Sequence, residues 1–133
     1  MPPERRAHID LPPTQRSRVT NGTDLLPGVD GRSAWVRRCR DVMALHISDL
    51  GGDDNISEAE RSIVRRIAVM TVELETLEAS FANAGQATER GLDLYQRTSG
   101  NLRRLIEGIG MKRRAKQVPT LDQYLRGKSE AAR

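Results

Sequence analysis

Between residues 63 and 81 the apolar side chains Ile63, Ile67, Met70, Leu74, Leu77 and Phe81 follow one another at spacings of 4, 3, 4, 3 and 4. That is a heptad seam, and a chain carrying it must lay one stripe of a long helix against another helix. The seam spans only about two and a half heptads, which suits an antiparallel hairpin or a packed bundle better than a free-standing coiled coil.

The boundaries of this helix are written beside it. Ser57-Glu58-Ala59-Glu60 has the spacing of a capping box, in which a serine hydroxyl and a glutamate carboxylate satisfy free amides at a helix start. Asn83-Ala84-Gly85-Gln86 breaks the pattern, which sets the helix at 58–82. A second stripe, Tyr95, Thr98, Leu102, Leu105 and Ile109, repeats the 3, 4, 3, 4 spacing and predicts a helix that starts between Thr88 and Asp93 and ends near Ile109. Gly91 and Gly100 each weaken that helix by about 1 kcal/mol relative to Ala, so packing must stabilise it. Gly110 is placed to end it as a left-handed cap, with Met111 as the apolar residue that follows such caps.

Upstream, 33–50 reads as a helix with Ser33 as N-cap and Gly51-Gly52 as terminator; Trp35, Cys39, Val42, Met43, His46 and Leu50 share one face. Asp53-Asp54-Asn55 is a polar turn. Downstream, Pro119 and Thr120 introduce a short helix over 121–126 with an apolar corner of Leu121, Tyr124 and Leu125, after which 127–133 should fray.

Leu, Ile, Val and Phe make up 29 of the 133 residues, only slightly above the roughly 20% below which chains stay unfolded. Four aromatics in the whole chain argue against a sandwich or barrel. Five of the six prolines fall in the first 27 residues, so 1–31 is expected to be a disordered arm. The fold class is therefore all-α: an antiparallel helical hairpin (58–82 and 92–109), an N-terminal helix (33–50) and a short C-terminal helix, with 32–126 as the helical domain. So thin a core favours a homo-oligomer, in which the seam residues serve as core or as subunit contact. No apolar stretch approaches the roughly 20 residues of a membrane span, and the start of the chain lacks the apolar region of a secretory signal. A cytoplasmic location away from membranes is expected.

Catalytic constellations are missing from the pattern. His8 and His46 lie apart, and Cys39 is the sole cysteine, so neither a metal site nor a partnered nucleophile is expected. Gly51-Gly52-Asp53-Asp54-Asn55 lacks the glycine and glutamate positions of a calcium loop, and Gly108-Ile109-Gly110-Met111-Lys112 closes a helix where a dinucleotide or phosphate loop would open one. We read no enzyme and no cofactor.

Charge is the informative feature. The chain carries a net +4, yet between 101 and 118 lie Arg103, Arg104, Lys112, Arg113, Arg114 and Lys116 against Glu107 alone. If the two long helices fold back antiparallel, Arg61, Arg65 and Arg66 join them at one pole with only Glu58, Glu60 and Glu107 nearby, while Glu73, Glu75, Glu78, Glu89 and Asp93 gather at the other. Such a pole suits the phosphates of double-stranded DNA; the plainer alternative is a solvated helix end whose cations complement the helix dipole. Helices 33–50 and 58–70 also offer a helix-turn-helix, although their turn is long and acidic.

The order of these features resembles the small terminase subunits of tailed phages and prophages. The resemblance covers about 33–126 and rests on Gly31-Arg32-Ser33-Ala34 opening a helix, then Leu50-Gly51-Gly52 with Ile56-Ser57-Glu58-Ala59-Glu60, and a long helix through Glu73-Leu74-Glu75. Leu92-Asp93-Leu94-Tyr95, Leu102-Arg103-Arg104-Leu105 and Ile109-Gly110-Met111-Lys112-Arg113-Arg114-Ala115-Lys116 complete it. It implies a ring-forming, non-enzymatic protein that binds viral DNA and passes it to a terminase large subunit bearing the ATPase and nuclease activities. Lys112, Arg113, Arg114 and Lys116 match the basic end of the pattern, and the two long helices match its central hairpin. The compact N-terminal DNA-binding module of other small terminases has no counterpart in the proline-rich 1–31. A protein-interaction adaptor and a helix-turn-helix transcription regulator are the alternatives.

Overall fold

The computed structural model describes residues 17–20, 24–115 and 118–132. Among them the chain is all-α: α1 (Ala34–Asp49), α2 (Glu58–Ala84), α3 (Glu89–Ile109) and α4 (Leu121–Ala131), with a single 3-10 turn at Asp53–Asn55. Each helix begins on a side-chain cap. Ser33, Ser57, Thr88 and Thr120 accept the amides of Val36, Glu60, Gly91 and Gln123, and at Ser57 and Thr120 the reciprocal bonds from Glu60 and Gln123 complete capping boxes.

α1 ends where its glycines require it to. The Gly52 amide donates to the Ile47 carbonyl at 2.9 Å and the Gly51 amide to Ser48 at 3.1 Å, the paired bonds of a Schellman motif. Both glycines hold positive φ, 102° and 96°, a region that a side chain disfavours. The chain then turns through Asp53–Asn55 and is re-aimed into α2.

α2 is the centre of the fold, packed against α1 on one side and α3 on the other. Val64, Ala68 and Val72 are buried, and Ala68 and Val72 pack with Cys39 and Val42 of α1, flanked by Trp35, Met43 and Val69. A second cluster joins Leu50, Ile56 and Val64, with Met43, Ile47 and Ile109 against it. Fully burying a Val, Leu or Ile side chain contributes roughly 1.5–3 kcal/mol, so these clusters outweigh the exposed polar ties between α1 and α2. Those ties fix register instead: Trp35 Nε1 donates to Glu73 at 2.9 Å, and Arg38 pairs with Glu75 through two bonds of 3.0 and 2.8 Å.

The expected hairpin of α2 and α3 is present. Phe81 meets Tyr95 edge-on, the Tyr95 hydroxyl donates to Glu78 at 2.8 Å, and Ile109 reaches back to the cluster around Val64. Of the seam, Ile67 and Leu74 are buried, while Ile63, Met70, Leu77 and Phe81 on α2 and Tyr95, Leu102, Leu105 and Ile109 on α3 are half-buried. No residue of α3 is fully buried. α3 therefore lies on the body as a partly open layer.

Several expectations are corrected. Gly110 leaves α3 with φ 93° and ψ 135°, outside the left-handed helical region, and Met111 stays 71% exposed instead of closing a cap contact. The reason is that the chain departs extended toward the end of α1. α4 continues past Arg126 to Ala131, because Gly127 is tolerated there and no proline follows; Arg133 lies outside the described residues. Of the expected arm, 1–16 and 21–23 lie outside the described residues. Near its end Leu25 packs on the Cys39 and Val72 cluster, while Arg18 pairs within the arm with Asp24 at 3.1 Å. Among the described residues no helix is long and apolar enough to cross a membrane.

Candidate nucleic-acid interface

The basic residues sit on three pieces of chain: the first turns of α2 (Arg61, Arg65, Arg66), the later turns of α3 (Arg103, Arg104), and the segment that follows α3 (Lys112, Arg113, Arg114). Lys116 lies outside the described residues. The antiparallel register brings these pieces to one end. With the Tyr95 hydroxyl bonded to Glu78 in an antiparallel pair, Arg103 and Arg104 fall about one turn beyond Arg66 along the hairpin.

Consecutive helix residues diverge by about 100°, so Arg65 and Arg66, like Arg103 and Arg104, cannot point the same way. The pole is therefore a belt around the hairpin end. It is also less positive than the bare sequence implies. Arg61 donates to Asp53 at 2.7 Å and lies 3.6 Å from Glu58; Arg103 bonds its neighbour Glu107 at 2.9 Å. Arg113 lies 3.9 Å from Asp49, and Arg114 Nη2 donates to Glu60. Asp49 and Asp53 had no place in the sequence-based pole, because α1 and its turn are remote in the chain. The fold brings them there through the Leu50, Ile56 and Val64 cluster.

Arg65, Arg66, Arg104 and Lys112 have no acidic partner among the described residues. Arg66 donates to the Ser62 carbonyl at 3.0 Å and to its hydroxyl; Arg104 donates to the Asn101 side chain at 3.2 Å. These neutral acceptors orient a guanidinium without cancelling its charge.

The segment after α3 is fastened to the end of α1. The Arg114 amide donates to the Asp49 carbonyl at 2.6 Å, and the Ala115 carbonyl comes close to Gly51, where an added Cβ would lie 3.5 Å from it. Between this segment and Ala44, Ile47 and Ser48 of α1 runs a cleft of about 670 Å³. Glu60 is the junction: its Oε1 accepts the Ser57 amide at 3.3 Å while Oε2 accepts Arg114. Burial disfavours its charged form, but the Arg114 guanidinium and the Ser57 amide and hydroxyl outweigh that and hold the carboxyl below the ordinary glutamate range.

Burial pushes the Cys39 thiol up, away from its reactive thiolate. Among the described residues no three His, Cys, Asp or Glu side chains gather where they could hold a metal ion. His46 is half-buried on α1, and His8 lies outside the described residues. What the end of the hairpin gathers is a belt of cations, four of which have no acidic partner among the described residues. Compared with known proteins, the chain matches no family model, no curated protein and no solved structure.

Proposed function

We propose that this chain is a DNA-binding, self-associating helical protein of the small terminase kind, which holds viral DNA at the start of packaging for a terminase large subunit. The observation that supports it is the convergence of Arg65, Arg66, Arg104 and Lys112, none with an acidic partner among the described residues, at the one end where α2 starts and α3 finishes. A phosphate backbone rewards such an arrangement by releasing counterions, with affinity that falls steeply as salt rises. The half-buried stripe of α3 and the exposed Leu92 and Leu94 are the surfaces on which copies of the chain would meet in a ring.

The test is retention of duplex DNA across a salt series, together with particle mass by light scattering. Replacing Arg65, Arg66, Arg104 and Lys112 by Ala should weaken retention and flatten the salt dependence by about 0.9 log units for every phosphate the variant no longer neutralises. A closed assembly of several copies is the expected mass. Unchanged retention in the fourfold variant, or a strict monomer at high concentration, would defeat the reading.

One observation favours a second reading, the protein-interaction adaptor. Every described residue of α4 is exposed, including Leu121 at 73%, Tyr124 at 58% and Leu125 at 52%. An 11-residue helix is marginal in water unless its apolar face is covered. The helix-turn-helix regulator has less support, since α1 lies alongside α2 from Trp35–Glu73 through Cys39 and Val42 against Ala68 and Val72 to the cluster of Leu50, Ile56 and Val64, whereas that motif needs a steep crossing.

A further inference from the structure

Arg113 and Arg114 are the centre of the most basic stretch of the chain, yet the fold turns both toward its own acids. Arg114 is gripped twice: its side chain by Glu60 and its amide by the Asp49 carbonyl. Arg113 faces the Asp49 carboxylate at 3.9 Å. Neither acid is free to follow the arginines away. Glu60 is tied to the start of α2 through the Ser57 amide, and Asp49 is the last residue of α1, just ahead of the Gly51-Gly52 turn. The arginines, by contrast, ride on a segment outside any helix whose residues 111–115 are all exposed.

We propose that Asp49 and Glu60 form an acidic clamp that competes with nucleic-acid phosphate for Arg113 and Arg114, so that tight DNA binding requires residues 110–115 to lift off the end of α1. This inference rests on the DNA-binding reading above. A guanidinium fork fits a carboxylate and a phosphate by the same two-pronged geometry, so one ligand substitutes directly for the other. Both pairs are partly open to water, with the Arg114 and Glu60 side chains 43% and 27% exposed. Exposed pairs are weak, and duplex DNA presents a charge every ~1.7 Å. A dense phosphate array can therefore outcompete the clamp where an isolated anion cannot. The clamp acts as a threshold that keeps the basic segment from adhering to sparse anionic surfaces.

Two substitutions isolate it. Glu60→Gln keeps the capping box, since glutamine serves at that position as well as glutamate, and removes only the charge facing Arg114. Asp49→Asn removes the charge facing Arg113 and keeps the backbone carbonyl that Arg114 uses. The full chain is titrated against a fluorescent duplex of about 40 base pairs over a potassium chloride series starting at about 50 mM. The double variant is expected to bind about tenfold more tightly at equal salt, with a slope of log K against log salt steeper by about 1.8, because two further phosphates are neutralised. Asp54→Asn removes the same charge from the neighbouring exposed turn outside the clamp and should give neither change. In an Arg113→Ala/Arg114→Ala background the gain should vanish.

A gain of equal size in Asp54→Asn, or a gain that survives loss of the two arginines, would overturn the clamp and leave the DNA reading standing. If neither the natural chain nor the double variant retains duplex at the lowest salt, the DNA reading fails and the clamp falls with it. Retention by the double variant alone would support both.

Discussion

The ring of Phe81 stands edge-on to that of Tyr95, with centroids 5.9 Å apart and planes at 67°. Fourteen positions separate them in the chain, and the pair closes the far end of the α2–α3 hairpin as Ile109 closes the near end against the cluster of Leu50, Ile56 and Val64. Edge-to-face aromatic pairs contribute about 0.5–1.5 kcal/mol beyond area burial. Among the described residues the α1 ties that reach furthest toward this end are Trp35–Glu73 and Arg38–Glu75, and beyond them α2 packs with α3.

Phe81→Ala should therefore loosen this end selectively. Removal of a buried Phe costs about 3–5 kcal/mol; Phe81 is half-buried, which places the expected loss at about 2 kcal/mol, or roughly 8–16 °C in Tm for a domain of this size. Amide exchange should accelerate over 78–98 more than over α1. Equal acceleration in α1 would show that the hairpin tip has no independent stability.

The glycines of α3 give a paired prediction. An added Cβ on Gly100 meets nothing within 4 Å, so Gly100→Ala should stabilise the protein by about 1 kcal/mol. On Gly91 the same Cβ would lie 2.8 Å from the Thr88 hydroxyl and 3.0 Å from the Phe81 ring. Since that hydroxyl caps α3 at the Gly91 amide, and a lost cap costs about 1 kcal/mol, Gly91→Ala should show none of the gain. Thermal melts by circular dichroism decide it: equal upward shifts in both variants would contradict the close packing.

How much of this was visible in advance follows from which interactions are local. The caps at Ser33 and Ser57 and the stop at Gly51-Gly52 are short-range patterns, and each is found where the residues suggested; the start of α3 is not, since it lies at Glu89, capped by Thr88, three residues ahead of the expected 92. The heptad stripe correctly announced that α2 and α3 pair. It concealed the second face of α2, because Val64, Ala68 and Val72 read as flanks of the seam until α1 covers them. Gly91 looked like a weak point in a helix, and only the position of Phe81 reveals why a side chain does not fit. Asp49 beside the basic segment was illegible for the same reason, whereas Glu60 already lay at that pole by the hairpin register. Asp49 and Arg114 are 65 positions apart, and their bond depends on the chain returning across Gly51 after α3 ends.

Acid should weaken the protein through two carboxylates. The side-chain bond from Arg38 is the main influence on Glu75 and holds it below the ordinary range; in Glu60, burial is overcome by Arg114 and Ser57 with the same net direction. In the unfolded chain both groups titrate near the usual glutamate value of about 4.3. The unfolded state therefore binds more protons in the window just below that value, so stability is full above it and is lost as pH falls toward the depressed folded values. Urea midpoints measured from pH 6 to pH 3 (about the span that brackets this window) should fall. Glu75→Gln and Glu60→Gln should each flatten the fall, and an unchanged slope in both would mean that other carboxylates govern acid unfolding.

The last prediction uses the only cysteine as a probe of the core. Cys39 has no exposed surface and lies between Val42 of α1 and Ala68 and Val72 of α2. Burial pushes its thiol up, so even a transient approach by reagent meets the unreactive protonated form. Modification by a thiol reagent should thus be limited by separation of α1 from α2. Trp35 reports the same event independently, because its indole donates to Glu73 across that interface. Glu73→Gln keeps an acceptor for the indole and should leave the labelling rate nearly unchanged. Val72→Ala opens a cavity against Cys39, costs about 1–3 kcal/mol, and should speed labelling by roughly tenfold or more. The check is the labelling rate followed alongside tryptophan fluorescence. Rapid labelling of the folded natural chain would mean that α1 does not rest on α2 in the manner described, and the placement of Asp49 beside the basic segment would lose its support.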